Sequence, residues 1–239
     1  MEGAVVTRSP VHDALEHLDP EWGRIGPTPA ALHFGDPTGE AVLKERLALC
    51  DTSALKRLGV KGPNAHRWLE DQGIGVPEPA NSWSYLPDGR GLIARLGRNE
   101  FLVEDGPEGT VTEGLGDTLD SGARGIYPVL RQDAAFALTG ERAGEVMLQV
   151  CGVDFGSLDH EARPVVLTRV AVISAVVLPR VEEGTRTFRI WCSSPYGMYL
   201  WEELREIMNE FGGGVVGLSA LYGRGKGMTV EESMGKEDG

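Results

Sequence analysis

The clearest periodic stretch in the chain places Ala143, Val146, Met147, Val150 and Cys151 at i, i+3, i+4, i+7 and i+8. That spacing predicts a helix with one buried face. Before it stands Phe136-Ala137-Leu138-Thr139-Gly140, a strand-like run closed by glycine. The same order occurs earlier, as Leu58-Gly59-Val60-Lys61-Gly62 followed by Ala65, Trp68 and Leu69. This first stripe stops at Gly73, a suitable helix C-terminus. Gly62 corresponds to Gly140, and the same offset of 78 pairs Trp68 with Val146 and Leu69 with Met147. The chain therefore reads as a duplication.

The segments after the two helices also match. Leu92–Leu96 and Phe101–Val103 flank Gly97-Arg98-Asn99-Glu100, which predicts a hairpin. Val170–Leu178 and Phe188–Cys192 flank a longer polar connection in the second copy. A last helix carries Leu200, Leu204, Ile207, Met208 and Phe211 on one stripe, with Ser194 placed to cap it, Pro195 at its first position and Gly212 at its end. The expected fold is α+β, with two β-α-β-β-α units related by a pseudo-twofold and helices on one face of a mostly antiparallel sheet. The first unit spans 44–122 and the second 123–218, together forming one domain. Residues 1–43 read as a capping arm rich in Pro and Gly, and residues 219–239 as a flexible, glycine-rich, charged tail.

Composition narrows the function classes. The 239 residues carry 36 acidic and 23 basic side chains, a formal charge of −13. Such a surface repels polyphosphate, so neither nucleic acid nor an anionic membrane is an expected partner. The longest apolar run, Val170–Leu178, has nine residues and includes Ser174. A bilayer-crossing helix needs about 20. No leader-like apolar block is visible at the start, and Cys50, Cys151 and Cys192 are too sparse for a disulfide framework or a zinc site. A soluble, cytoplasmic protein with reduced thiols is expected. No metal is expected either, because His12 and His17 are five apart and do not share a helix face.

Few segments suggest chemistry. Gly223-Arg224-Gly225-Lys226-Gly227 looks like a phosphate loop, but the first glycine of that motif falls on Ala220. The connection Asn81–Arg90 gathers Trp83, Tyr85 and Asp88, and aromatic walls with a few polar groups suit a flat heterocycle. Pro87-Asp88-Gly89 equally suits a plain turn, and both aromatics suit a core. Trp191, Tyr196, Tyr199 and Trp201 form a second aromatic group, open to the same two readings or to a partner surface.

These motifs resemble a known family. Asp51-Thr52-Ser53-Ala54-Leu55, then Leu58–Ala65 and Trp68-Leu69, resemble the opening of the glycine-cleavage T-proteins, tetrahydrofolate-dependent aminomethyltransferases. Leu92–Leu96, Glu100-Phe101-Leu102, Gly140, Ala143 and Tyr199-Leu200-Trp201 also resemble the γ subunit of heterotetrameric sarcosine oxidase. The resemblance covers about Leu43 to Gly212 and implies the duplicated folate-binding fold without the family's C-terminal barrel. It implies two acids that this sequence lacks. The catalytic Asp falls on the Arg90-Gly91 pair, and the pteridine-gripping Glu falls on Thr185, beside Glu182 and Glu183.

On this resemblance, the chain is a tetrahydrofolate-binding protein of glycine or sarcosine one-carbon metabolism with an altered catalytic motif. Asp88, Glu104 or Glu182 would have to supply the missing carboxylate, while Trp83, Tyr85, Arg95 and Tyr127 would line the folate site. The alternative is a non-catalytic, γ-type accessory subunit docking onto a flavin-dependent amine oxidase.

Overall fold

The computed structural model describes residues 7–122, 124–182, 184–223 and 228–230. An N-terminal helix α1 (His12–Glu16) leads into a hairpin of β1 (Glu21–Ile25) and β2 (Thr28–His33), then helix α2 (Pro37–Arg46) and strand β3 (Ala48–Asp51). The first unit continues as β4 (Arg57–Lys61), α3 (Ala65–Asp71), β5 (Ser82–Tyr85), β6 (Leu92–Arg95), β7 (Glu100–Glu104) and α4 (Val111–Asp120). After β8 (Tyr127–Val129) the second unit repeats it as β9 (Asp133–Thr139), α5 (Ala143–Val150), β10 (Val166–Val170), β11 (Ile173–Glu182), β12 (Thr185–Ser193) and α6 (Gly197–Glu210). Strand β13 (Gly214–Val215), helix α7 (Leu218–Tyr222) and strand β14 (Thr229–Val230) complete the described chain.

Each unit therefore has one strand more than the sequence suggests. Ser82–Tyr85 looks like a connection, yet it pairs antiparallel with β6, Ser82 opposite Arg95 and Tyr85 opposite Leu92. In the second copy the single apolar run Val170–Leu178 is two strands, because Val170 pairs with Ile173 across a two-residue turn. Ala171 and Val172 both take positive φ, 45° and 64°. A type I′ turn needs that conformation at both central positions and normally uses Asn-Gly. A β-branched residue there is strained. Replacing Ala171-Val172 by Asn-Gly is accordingly expected to raise stability by about 1 kcal/mol, read as a higher urea midpoint at unchanged slope.

Sheet order exposes how the duplication closes. One large sheet runs β10-β11-β12-β9-β3-β13 and the other β5-β6-β7-β4-β8. So β3, which enters the first unit, pairs with β9 of the second, and β8, which enters the second, pairs with β4 of the first. The units exchange their leading strands, and the sequence boundary at 123 cuts across that exchange. Boundaries at 43 and 219 likewise fall inside α2 and α7. Among the described residues of the arm and tail, regular elements are present. Asp36 caps α2 by accepting from the Thr38 and Gly39 amides, and β14 adds to β1, Gly23 opposite Val230. Residues 224–227, holding most of the Gly-rich run, lie outside the described residues.

The layers arise from alternation along the strands. Outward residues of the six-stranded sheet, among them Phe136, Leu138, Phe188 and Ile190, pack against Val146, Met147, Leu200, Trp201 and Leu204 of α5 and α6. Val60, Ile93, Phe101 and Val103 of the other sheet pack in the same way against Trp68, Leu69 and Leu115 of α3 and α4. The inner faces meet each other through Trp83, Leu92, Ala94 and Leu102 on one side and Ala135, Leu178 and Trp191 on the other. Helix α6 starts at Gly197 after a 3-10 turn at Ser194–Tyr196, so Ser194 does not cap it; Gly212, at φ 69°, lies just past its end.

Candidate functional site

The space between the two sheets is closed at its centre by a charged cluster. Glu104, at the end of β7, is 2% exposed, and Arg189 in the middle of β12 is equally buried. Arg189 Nη2 donates to Glu104 Oε1, while Arg57 Nη1 and Trp191 Nε1 donate to Oε2 at 3.0 and 2.7 Å. Arg189 Nη1 reaches the Tyr222 hydroxyl at 2.9 Å, and Arg57 Nη2 donates to the Ser53 and Asp133 carbonyls. Burial alone would push the Arg189 guanidinium down; the Glu104 carboxylate and Tyr222 outweigh it, leaving the group above its usual value. Burial pushes the Tyr222 hydroxyl up. Glu104 is thus a clamp between units. Its two oxygens already accept from three donors, so it is not a free acid or base.

The remaining expected site residues scatter. Asp88 is exposed, and its Oδ1 accepts from the Arg90 and Gly91 amides at 3.0 Å each, the plain turn. Glu182 ends β11, but its side chain and all of Glu183 lie outside the described residues. Arg95 is spent on backbone carbonyls, donating to Pro77, Glu78, Gly97 and Arg98. Those bonds use four of its five N–H groups and leave one on Nη2, too few for a two-pronged grip on a ligand carboxylate. Tyr127 is 56% exposed on edge strand β8. Trp83 and Tyr85 do meet, edge to face at 4.9 Å, with Arg163 lying 5.5 and 5.6 Å from their rings. Trp83 itself is core at the inter-sheet contact. Of these four residues, Trp83 and Tyr85 are in ring contact with each other.

A cavity of about 490 Å³ lies under the β11–β12 hairpin. Gly184 and Thr185 form its hairpin wall, Thr139 and Thr187 its inner strand wall, and Lys44, Glu45, Glu141 and Arg180 bring charge to it. The two strand hydroxyls share a hydrogen bond of 2.8 Å. The Glu141 amide donates to the Glu45 carbonyl at 2.9 Å, which holds α2 against the turn after β9 and brings both carboxyl residues to one wall. Burial lowers the Arg180 guanidinium, and Tyr222 works against that shift. The sequence signals for Glu141 and Arg189 were local. Glu141 comes directly after the repeated glycine, and Arg189 is a charge at an inward position between Phe188 and Ile190.

All three cysteines are free and buried. Burial raises the Cys50 thiol well above its usual value and pushes Cys192 up to about 11. Thiolate, not thiol, is the reactive form. A disulfide reagent at neutral pH should leave native protein unlabelled over minutes and label all three thiols in denaturant; fast native labelling would contradict this burial. Among the described residues there is no cluster of three or more His, Cys, Asp or Glu suited to a metal, and no helix long and apolar enough to cross a membrane.

A duplicated α/β/β/α sandwich with exchanged leading strands is the architecture of the aminomethyltransferase fold. The chain superposes on glycine cleavage system aminomethyltransferase T from Bartonella henselae with a TM-score of 0.71 at 17% identity, over 90% of this chain and 60% of that one. It also superposes on heterotetrameric sarcosine oxidase from Corynebacterium sp. U-96 with a TM-score of 0.61 at 18% identity, over 86% of this chain and 96% of that one. Glycine-cleavage aminomethyltransferases and heterotetrameric sarcosine oxidase are the families that the sequence resembles, and at such identities the likeness establishes the fold. The chain spans only 60% of the aminomethyltransferase's length, and no barrel is present among the described residues. No family model and no curated protein matches the sequence.

Proposed function

We propose that this chain binds a folate-type heterocycle, tetrahydrofolate by the family resemblance, without performing aminomethyl transfer at the inter-unit centre. The observation that supports it is the cavity under the β11–β12 hairpin. It is walled by Thr185, where the resemblance puts the pteridine-gripping acid, and it carries two other carboxyl residues, Glu45 and Glu141. A pteridine presents a ring N–H and an amino group as parallel donors, and a carboxylate accepts both. Glu141 takes that role, and Lys44 meets the carboxylates of the glutamate tail.

Transfer chemistry also needs a carboxylate beside the folate nitrogens to support a developing iminium cation. The inter-unit carboxylate, Glu104, is committed to Arg189, Arg57 and Trp191. Anaerobic calorimetry with tetrahydrofolate should give micromolar binding, about −8 kcal/mol. Glu141→Gln should weaken it by about 1–3 kcal/mol. Absence of binding at millimolar ligand would remove this reading.

A second reading, an accessory subunit docking onto a flavin-dependent amine oxidase, is favoured by one observation. The chain matches the sarcosine oxidase chain over 96% of that chain's length. Co-purification at native concentration should then recover a stoichiometric flavoprotein, and a monomer throughout would count against it.

A further inference from the structure

The inner face of the six-stranded sheet can be followed row by row, because cross-strand partners point to the same side. One row runs Ala135, Trp191, Val176 and Leu167 across β9, β12, β11 and β10, each opposite the next. It is apolar throughout, as suits a face turned toward a second sheet. Its cover runs out along the row: Trp191 is 2% exposed, whereas Leu167, on the edge strand, is 55% exposed.

The next row, toward the end of the sandwich away from the β11–β12 hairpin, is polar. Asp133 stands opposite Ser193, and Ser174 opposite Arg169. Ala175 opposite Cys192 sets Ser174 beside Ser193 and completes the row. These four residues lie two positions from the apolar row along each strand, so they share its face. Ser193, Ser174 and Arg169 are exposed.

Both rows line a cleft of about 600 Å³, which Leu102 of β7 borders from the facing sheet. The volume falls within the usual span of small-ligand sites, about 300–1,000 Å³. Thr168 also borders the cleft, but its hydroxyl lies 3.7 Å from the Cys151 sulfur on the helix-covered side. Arg131 donates Nη2 to Glu100 at 2.9 Å. Asp133, whose carboxyl burial pushes up, has the Arg131 and Arg57 guanidinium groups to offset its charge. Three strand spacings put its backbone about 14 Å from that of Arg169. Arg169 differs from both: among the described residues it makes neither an ion pair nor a side-chain hydrogen bond.

We infer that this cleft binds a small apolar monocarboxylate. Arg169 takes the carboxylate, its guanidinium offering paired N–H donors to the two oxygens. Ser174, its cross-strand partner at a Cβ separation of about 5 Å, donates its hydroxyl to the same group. The apolar body lies inward on Leu167 and Val176, against Leu102, and covers the surface that the facing sheet leaves open. The site shares no lining residue with the hairpin cavity. It therefore stands or falls independently of tetrahydrofolate binding there.

The test uses 3-phenylpropionate as probe and 3-phenylpropanamide, which has the same shape and no charge, as control. Calorimetry on the full chain should show binding of the acid, with the amide weaker by roughly fivefold or more. Arg169→Gln should bring the acid down to the level of the amide and leave the amide itself unchanged. Leu167→Thr should weaken both ligands alike, by roughly threefold, because part of the apolar wall is lost. Both positions are exposed, so the core is untouched in either variant. No binding of 3-phenylpropionate at millimolar concentration, equal binding of acid and amide, or wild-type affinity for the acid in either variant would each overturn the inference.

Discussion

Glu104→Gln is expected to lower the free energy of unfolding by about 3–5 kcal/mol, the cost of breaking a buried ion pair from one side. The substitution keeps the volume but leaves Arg189 and Arg57 facing each other across a neutral amide. Arg189 has no route to water, being 2% exposed. Against a usual stability of about 5–15 kcal/mol this is a large share. Urea unfolding monitored by tryptophan fluorescence reports it, because Trp191 Nε1 donates to the same carboxylate. The loss should fall mainly on the union of the two units, since Glu104 lies on the first and Arg189 and Trp191 on the second.

Gly140→Ala should be comparably severe, as should Gly62→Ala at the equivalent place. Both glycines take positive φ, 118° and 137°. A Cβ on Gly140 would stand 2.5 Å from the Arg46 carbonyl, and one on Gly62 would stand 2.2 Å from the Gly125 carbonyl. Those carbonyls belong to the lead-ins of β3 and β8, the exchanged strands. They also accept from the Arg142 and Asn64 amides, at 3.1 and 3.3 Å. Strained backbone costs about 1–3 kcal/mol, and the forced displacement of backbone about 1–3 kcal/mol more. Each variant should therefore show a much lower urea midpoint. Wild-type stability in either would mean that the exchanged strands do not hold the crossing described.

Those two glycines explain why the duplication was legible in the sequence. The crossing tolerates no side chain, so a glycine recurs at an offset of 78 and anchors the helical stripes behind it. Helical stripes such as Leu200, Leu204 and Met208 were legible for the usual reason, a period that burial enforces. The strand exchange was not legible, because β3 and β8 are short and their partners are set by tertiary pairing. Strand β5 was hidden too, since Ser82–Tyr85 alternates only weakly and borrows its outer pairing from the far unit through the Arg163 carbonyl.

The candidate site was less legible than the fold. Glu104, one of three residues the sequence offers for the missing carboxylate, has its partner in Arg189, 85 residues away in sequence. Arg95 has the type and place of a tail-binding residue, and only three-dimensional contact reveals that four carbonyls occupy it. Asp88 carried both readings in its own tripeptide, and the turn prevailed. Glu141 follows the repeated glycine, but nothing in its neighbours says that it borders a cavity, a property that no local pattern encodes.

If ligand chemistry has moved out of the clamped centre and under the β11–β12 hairpin, hydrogen exchange of the full chain with and without tetrahydrofolate will register the move. Slowed exchange is expected at Thr185–Thr187 and Thr139–Glu141, with Leu102–Glu104 unchanged because the clamp is already closed. Slowed exchange confined to Leu102–Glu104 and Arg189–Trp191, with the hairpin unaffected, would contradict that placement and return the ligand to the centre between the units.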